Sequence, residues 1–114
     1  MTLADFLHKL NVEPETVEFA DTMSVIDALY HFSPAGFRNG ELMNAAGQNS
    51  GSCKLFAFAQ LQGFSKEQTL NCFGAYYRKD VLENPDGTDH GNIRNFIRFG
   101  WEGIRYDSQV LQEK

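Results

Sequence analysis

Phe37-Arg38-Asn39-Gly40-Glu41-Leu42 decides between two architectures for this chain of 114 residues. Asn-Gly between apolar residues is the strongest short-range sign of a β-hairpin, because both central residues of a type I′ turn need positive φ. With Asn39-Gly40 as the turn, Phe37 and Leu42 flank it on short strands. Most other stretches of the chain have helical periodicity. The expected fold is therefore α+β and predominantly helical, with about five helices and a small antiparallel sheet or hairpin. An all-α fold is the alternative, should the strands be too short to pair.

Working toward the N-terminus, Asp21 is placed to cap a helix with Met23, Ile26, Leu29 and Tyr30 inward, ended by Ser33-Pro34. Val17 and Phe19 alternate with Glu18 and predict a short strand, and Pro14 marks a connector before it. Leu3, Phe6, Leu7 and Leu10 form a first helical stripe behind Thr2, with Asp5 completing a capping box.

On the other side of the hairpin, Asn44 to Ser52 is a small, polar loop containing glycine, of a kind that binds something or makes a demanding turn. Ser50 or Ser52 then caps a third helix with Leu55, Phe58, Ala59 and Leu61 apolar, closed by Gly63. Ser65-Lys66-Glu67-Gln68 is a capping box that opens a long fourth helix along Leu70, Phe73, Tyr77 and Val81. Gly74 inside it costs about 1 kcal/mol against Ala, which points to a close crossing by another helix. After the turn Asn84-Pro85-Asp86-Gly87, Thr88 or Asp89 caps a fifth helix carrying Ile93, Phe96, Ile97, Gly100 and Trp101. Ile104 and Tyr106 predict one last strand before a polar tail.

The composition is that of one globular domain over residues 1–114, at 42% hydrophobic and 22% charged. Its aromatic side chains each remove roughly 150–250 Å² from water, enough for a real core. No stretch approaches the roughly 20 apolar residues of a membrane span, so a soluble protein is expected. The net charge of −5 has the wrong sign for bulk nucleic-acid binding. Residues 1–49 hold two basic and seven acidic side chains, whereas residues 50–114 balance, so an anion site belongs in the second half. Cys53 and Cys72 are too few for a disulfide framework, and His8, His31 and His90 offer no ligand pair. Reduced thiols in a cytosol-like compartment, no metal and no cofactor are expected. The opening residues lack a basic region followed by an apolar one, which argues against a Sec-type signal peptide.

Candidate chemistry gathers in two places. Gly47 to Lys54 resembles a phosphate loop, but Ser52-Cys53 separate Gly51 from Lys54, and Leu55 stands where Walker A needs a hydroxyl. A general anion site remains, built from Asn49, Ser50, Gly51 and Ser52, with backbone amides as donors and Lys54 as the cation. A glycine-dependent turn with an N-cap is its plain alternative. Cys53 in the first helical turn is a weak nucleophile candidate, with His90 as base and Asp89 as orienter of a small Cys-His hydrolase or transferase. Capping alone also explains Asp89, and burial alone explains Cys53. His90 and Asn92 are placed to line a site. Arg78 and Arg94, with Lys54, Lys79 and Arg98, are placed to form a basic patch for a carboxylate or phosphate, or else to pair with Asp80, Glu83 and Glu102. The aromatic runs Phe56/Phe58 and Tyr76/Tyr77 are core or cavity wall. The working expectation is that the 44–54 loop and the start of the fifth helix meet in one recess, on a non-enzymatic binding or interaction protein whose partner is an unknown protein or a small anion.

Several motifs occur together: Phe37-Arg38-Asn39-Gly40, Asn44 to Lys54, Phe73-Gly74-Ala75-Tyr76-Tyr77-Arg78, Asp80-Val81-Leu82, Asp89 to Arg94, and Gly100-Trp101-Glu102-Gly103-Ile104. In this order, from about Val17 to Tyr106, the chain resembles the HopJ family of type III effectors. The resemblance implies a bacterial protein and, by the family's name alone, injection into a host. It implies no defined activity and assigns no catalytic residues, so it bears on the fold more than on the chemistry. A capped helix starting near Thr2 leaves little flexible chain for export, so the expectation is a protein acting in the bacterial cytoplasm.

Overall fold

A computed structural model describes all 114 residues, Met1–Lys114. In chain order it has α1 (Leu3–Val12), a 3₁₀ turn (Pro14–Thr16), α2 (Phe19–Leu29), β1 (Tyr30–Phe32), β2 (Phe37–Asn39) and β3 (Leu42–Asn44). Then come α3 (Ser50–Gln62), α4 (Lys66–Asn71), a π-helical turn (Tyr76–Val81), α5 (Gly91–Phe99), a 3₁₀ turn (Gly100–Gly103), β4 (Ile104–Tyr106) and β5 (Leu111–Glu113). The fold is a predominantly helical α+β arrangement with two small antiparallel sheets, one of order β3-β2-β4 and one pairing β1 with β5.

The core forms around α3. Cys53, Leu55, Phe56, Ala57, Phe58 and Ala59 are consecutive or nearly so and all buried, which is the pattern of a helix surrounded on every side. Phe56 meets the rings of Phe37, Phe73, Phe96 and Trp101, and Phe58 meets Phe6, Tyr30 and Phe64. These contacts join both halves of the chain in one aromatic core. Leu61, in the apolar set of the third helix, is exposed at the far end of α3.

Both capping boxes named from the sequence are present. Asp5 N donates to Thr2 Oγ1 at 3.1 Å, and Gln68 N donates to Ser65 Oγ at 3.1 Å. Gly63 closes α3 with φ 70°. The hairpin is shifted by one residue: Asn39 pairs with Leu42, so Gly40 and Glu41 form the turn. Gly40 alone of the two has positive φ, the Gly-X pattern of a type II′ turn.

Other expectations give way for identifiable reasons. No strand forms at Val17–Phe19; Glu18 is the N-cap of α2, and Asp21 serves from the third helical position by accepting from Glu18 N at 3.0 Å. The fourth helix is not continuous. Regular helix ends at Asn71, and the chain turns at Gly74, which adopts φ 63° where α2 begins against it: a Cβ on Gly74 would lie 2.7 Å from Phe19 N. The close crossing is real, but it breaks the helix instead of sitting inside it. The fifth helix stops at Phe99, where Gly100 takes φ 63°. The polar tail is a strand, since β5 pairs with β1 and buries Val110 and Leu111.

Candidate functional site

Two helices begin in the same unusual way. The residues before α3 and α5, Asn49 (φ 50°) and His90 (φ 51°), are the only non-glycine residues of the chain at positive φ. Neither places its side chain on the first-turn amides. The first helical bonds are Cys53 N to Asn49 O, 3.0 Å, and Arg94 N to His90 O, 3.1 Å. Helix geometry therefore leaves the amides of Ser50, Gly51 and Ser52, and of Gly91, Asn92 and Ile93, without intrahelical acceptors. Ser50, Ser52, Thr88 and Asp89, expected as caps, do not serve as N-caps.

Both helix starts open on one recess of about 250 Å³, with Asn49, Gly51, Ser52, His90, Gly91 and Asn92 in its lining. Phe19, Leu42, Phe73, Tyr76 and Ile93 complete its wall. The loop and the start of α5 thus lie side by side.

The recess rests on a buried amide network. Asn44 Nδ2 donates to Asn92 Oδ1 at 3.1 Å, and Asn92 Nδ2 donates back to Asn44 Oδ1 at 3.0 Å. Asn39 Nδ2 reaches Asn92 O at 2.7 Å, and Asn49 Nδ2 reaches Asn44 Oδ1 at 2.7 Å. Asn39, Asn44 and Asn92 are each buried. The network joins β2, β3 and the two helix starts, and one of its atoms, Asn39 Oδ1, is buried without a hydrogen-bond partner. Sequence pattern places Asn44 only as the first residue of the 44–54 loop and does not mark Asn39 as a site residue; its amide side chain beside the hairpin turn is the only local sign of it.

His90 is held by Asp80, with Nε2 and Oδ2 2.9 Å apart, and its ring lies 5.2 Å from that of Tyr76. Asp89, expected as its orienter, is 3.8 Å away and pairs instead with Arg94 at 2.7 Å. That Arg94 hydrogen bond, helped by Arg94 and His90 charge, holds the Asp89 carboxyl below its ordinary range. Asp80 and Tyr76 come beside His90 because the chain turns at Gly74, beyond the end of α4, and re-aims through the π-helical turn that carries them, a feature frequent at functional sites.

The remaining candidates point elsewhere. Cys53 is buried and absent from the recess wall, and its burial pushes the thiol pKa up, opposite to the requirement of a nucleophile. Lys54 pairs with Asp27 at 3.0 Å and sits over the Phe32 ring. Arg78 staples the connector before α2, donating to Pro14 O at 3.1 Å, Asn71 O at 3.3 Å and Val17 O. Arg94 closes the turn before α5 through Asn84 O at 2.9 Å and Asp89 O at 2.6 Å. The structure forms no basic patch from these three. Most of their acceptors are backbone carbonyls, which charge spacing does not reveal. Phe56 and Phe58 are core, and Tyr76 is cavity wall. No group of three or more metal-ligating side chains occurs, and no helix is long and apolar enough to cross a membrane.

A solved crystal structure, described as a protein of unknown function, VPA0580, superposes with a TM-score of 0.97 at 51% identity, over 100% of this chain and 95% of that one. Among curated proteins none matches. Residues 3–111 match the family described as HopJ type III effector protein. With nearly its whole length so matched, the chain belongs to the HopJ type III effector family.

Proposed function

We propose that this protein is a non-enzymatic binding protein that holds a small anion in the recess between the starts of α3 and α5. One observation carries the proposal: two helix N-termini, neither capped by its own side chain, open on the same concave site beside His90. Helix N-termini favour negative charge, and their free amides supply oriented donors. The Asn39-Asn44-Asn92 network supports the donors from below, so little ordering is left for binding to oppose. The Cys-His alternative lacks supporting geometry, because Cys53 lies inside the core and outside the recess. Family membership suggests type III secretion as the route by which the protein meets its partner.

The test is an amide NMR titration with acetate and with inorganic phosphate. The amide signals of Ser50 to Ser52 and Gly91 to Ile93 are expected to move together with a single affinity. His90→Asn keeps a residue type that tolerates the left-handed backbone while removing the imidazole, and is expected to weaken binding several-fold. Absence of any shift at these amides in high-millimolar anion would overturn the proposal.

A further inference from the structure

We infer that the ligand is an amphipathic carboxylate, with its singly charged head in the recess and an apolar arm in the aromatic groove beside it; this rests on the anion-binding proposal above. The recess does not end at its polar wall. Phe19, Phe73 and Tyr76 also line an adjoining groove of about 400 Å³ completed by Glu18, Ala20 and Ala75. Tyr76 stands at the junction, 44% exposed, edge-on to Phe19 at 5.3 Å between ring centres. Phe19 lies 6.2 Å from the buried Phe73 ring, so the groove floor is firmly packed. A polar recess continuous with an apolar groove is the shape that takes a ligand with a charged end and an apolar end.

Charge selects the head group. Lys54, Arg78 and Arg94 are all engaged elsewhere, so no lysine or arginine lines the recess, and its one side chain able to carry positive charge is His90. Asp80 and Asp89 stand beside His90, and Glu18 lies at the groove. These carboxylates oppose a second negative charge on the ligand. Oriented amides with one imidazole therefore suit a carboxylate better than a dianionic phosphate. The groove lining, largely rings and alanine methyls, offers an arm no charge complement beyond Glu18 at its edge.

Titrations with acetate, hexanoate, phenylacetate, inorganic phosphate and 1-hexanol test this, with affinities read from amide shifts at the recess. Each methylene laid on the groove raises affinity about fourfold, so hexanoate is expected to bind at least about tenfold tighter than acetate. Phenylacetate should also exceed acetate, while hexanol and phosphate bind more weakly than hexanoate. Ala20→Gln and Ala75→Gln should each remove most of the hexanoate advantage and leave acetate binding unchanged; both residues line the groove and not the recess, and both are exposed, so neither variant disturbs the core. Equal affinity for acetate and hexanoate, with recess shifts present, would overturn this inference and leave the anion proposal standing. Tighter phosphate than hexanoate, or a full hexanoate advantage in both variants, would overturn it too. No shift with any anion would remove the underlying proposal, and this inference with it.

Discussion

A single methyl at Gly74 meets two obstacles at once. The backbone is at φ 63°, and the added carbon would lie 2.7 Å from Phe19 N. Gly63 offers the matching control, with φ 70° and nothing within 4 Å of its would-be Cβ. Gly63→Ala should cost about 1–2 kcal/mol for the left-handed backbone alone. Gly74→Ala should cost at least about 2 kcal/mol, because strain and overlap combine. Denaturant midpoints compare them, and equal losses would show that the approach of α2 does not matter. At Cys53, folding itself suppresses reactivity, and Cys72 is buried further, its pKa pushed up to about 12. Iodoacetamide at neutral pH should label both thiols much more slowly than in the unfolded chain; labelling of native Cys53 at the unfolded rate would contradict its placement. Asp21 shows how a residue can be legible in type and misread in role. Asp before a helical stripe signals an N-terminus, yet whether it caps or reaches back from inside depends on Glu18 and Lys9. Burial pushes its carboxyl up, but the Glu18 N–H and Lys9 outweigh this and hold it below the usual value of 3.8. Its folded pKa is the lower one, so its stabilisation is present above pH 3.8 and lost as pH falls through the folded value. Asp21→Asn should therefore lower stability near neutrality and flatten the acid limb of the stability profile.

Elements are legible where their signals are local. Thr2 with Asp5, Ser65 with Gln68, and Gly63 are contained within a few residues, and each forms as the pattern demands. The hydrophobic stripe from Leu70 to Val81 misleads because periodicity runs straight across Gly74, whereas the break is imposed by α2, more than fifty positions away in sequence. The recess is readable as a juxtaposition of loop and helix start, with Asn92 among its residues, but the parts of Asp80, Asn39 and Asn44 in it are not, because partners across separate elements leave no spacing to read. That network makes a prediction of its own. Asn44 accepts from Asn92 and Asn49 and donates to Asn92, tying β3 to the starts of α3 and α5. Asn44→Ala strands buried polar groups at a cost of about 1–3 kcal/mol. Thermal unfolding should register that loss, and the amide signals of Gly91 to Ile93 should broaden as the α5 start loosens. Unchanged stability would mean the network is dispensable.

Across the whole molecule, the C-terminal strand closes what the N-terminal half begins. Ser33 N donates to Val110 O at 2.8 Å, and Lys114 N to Leu29 O at 3.0 Å, holding β5 on β1. This pairing is unreadable from the tail, whose polar residues are exposed and whose apolar pair, Val110 and Leu111, is too short for a periodic signal. Burying that pair is worth roughly 1.5–3 kcal/mol per side chain. A chain ending at Ser108 should accordingly unfold at a markedly lower temperature; an unshifted transition would show that β5 adds nothing to the core. The distribution of charge has a further outcome. With Lys54, Arg78 and Arg94 committed within the fold and a net charge of −5, an anion approaching the recess meets a repulsive long-range field and feels attraction only within the first helical turns. Screening weakens distant repulsion more than close contacts. Moderate ionic strength should thus hasten capture by this protein, the reverse of the salt response of a cationic cleft.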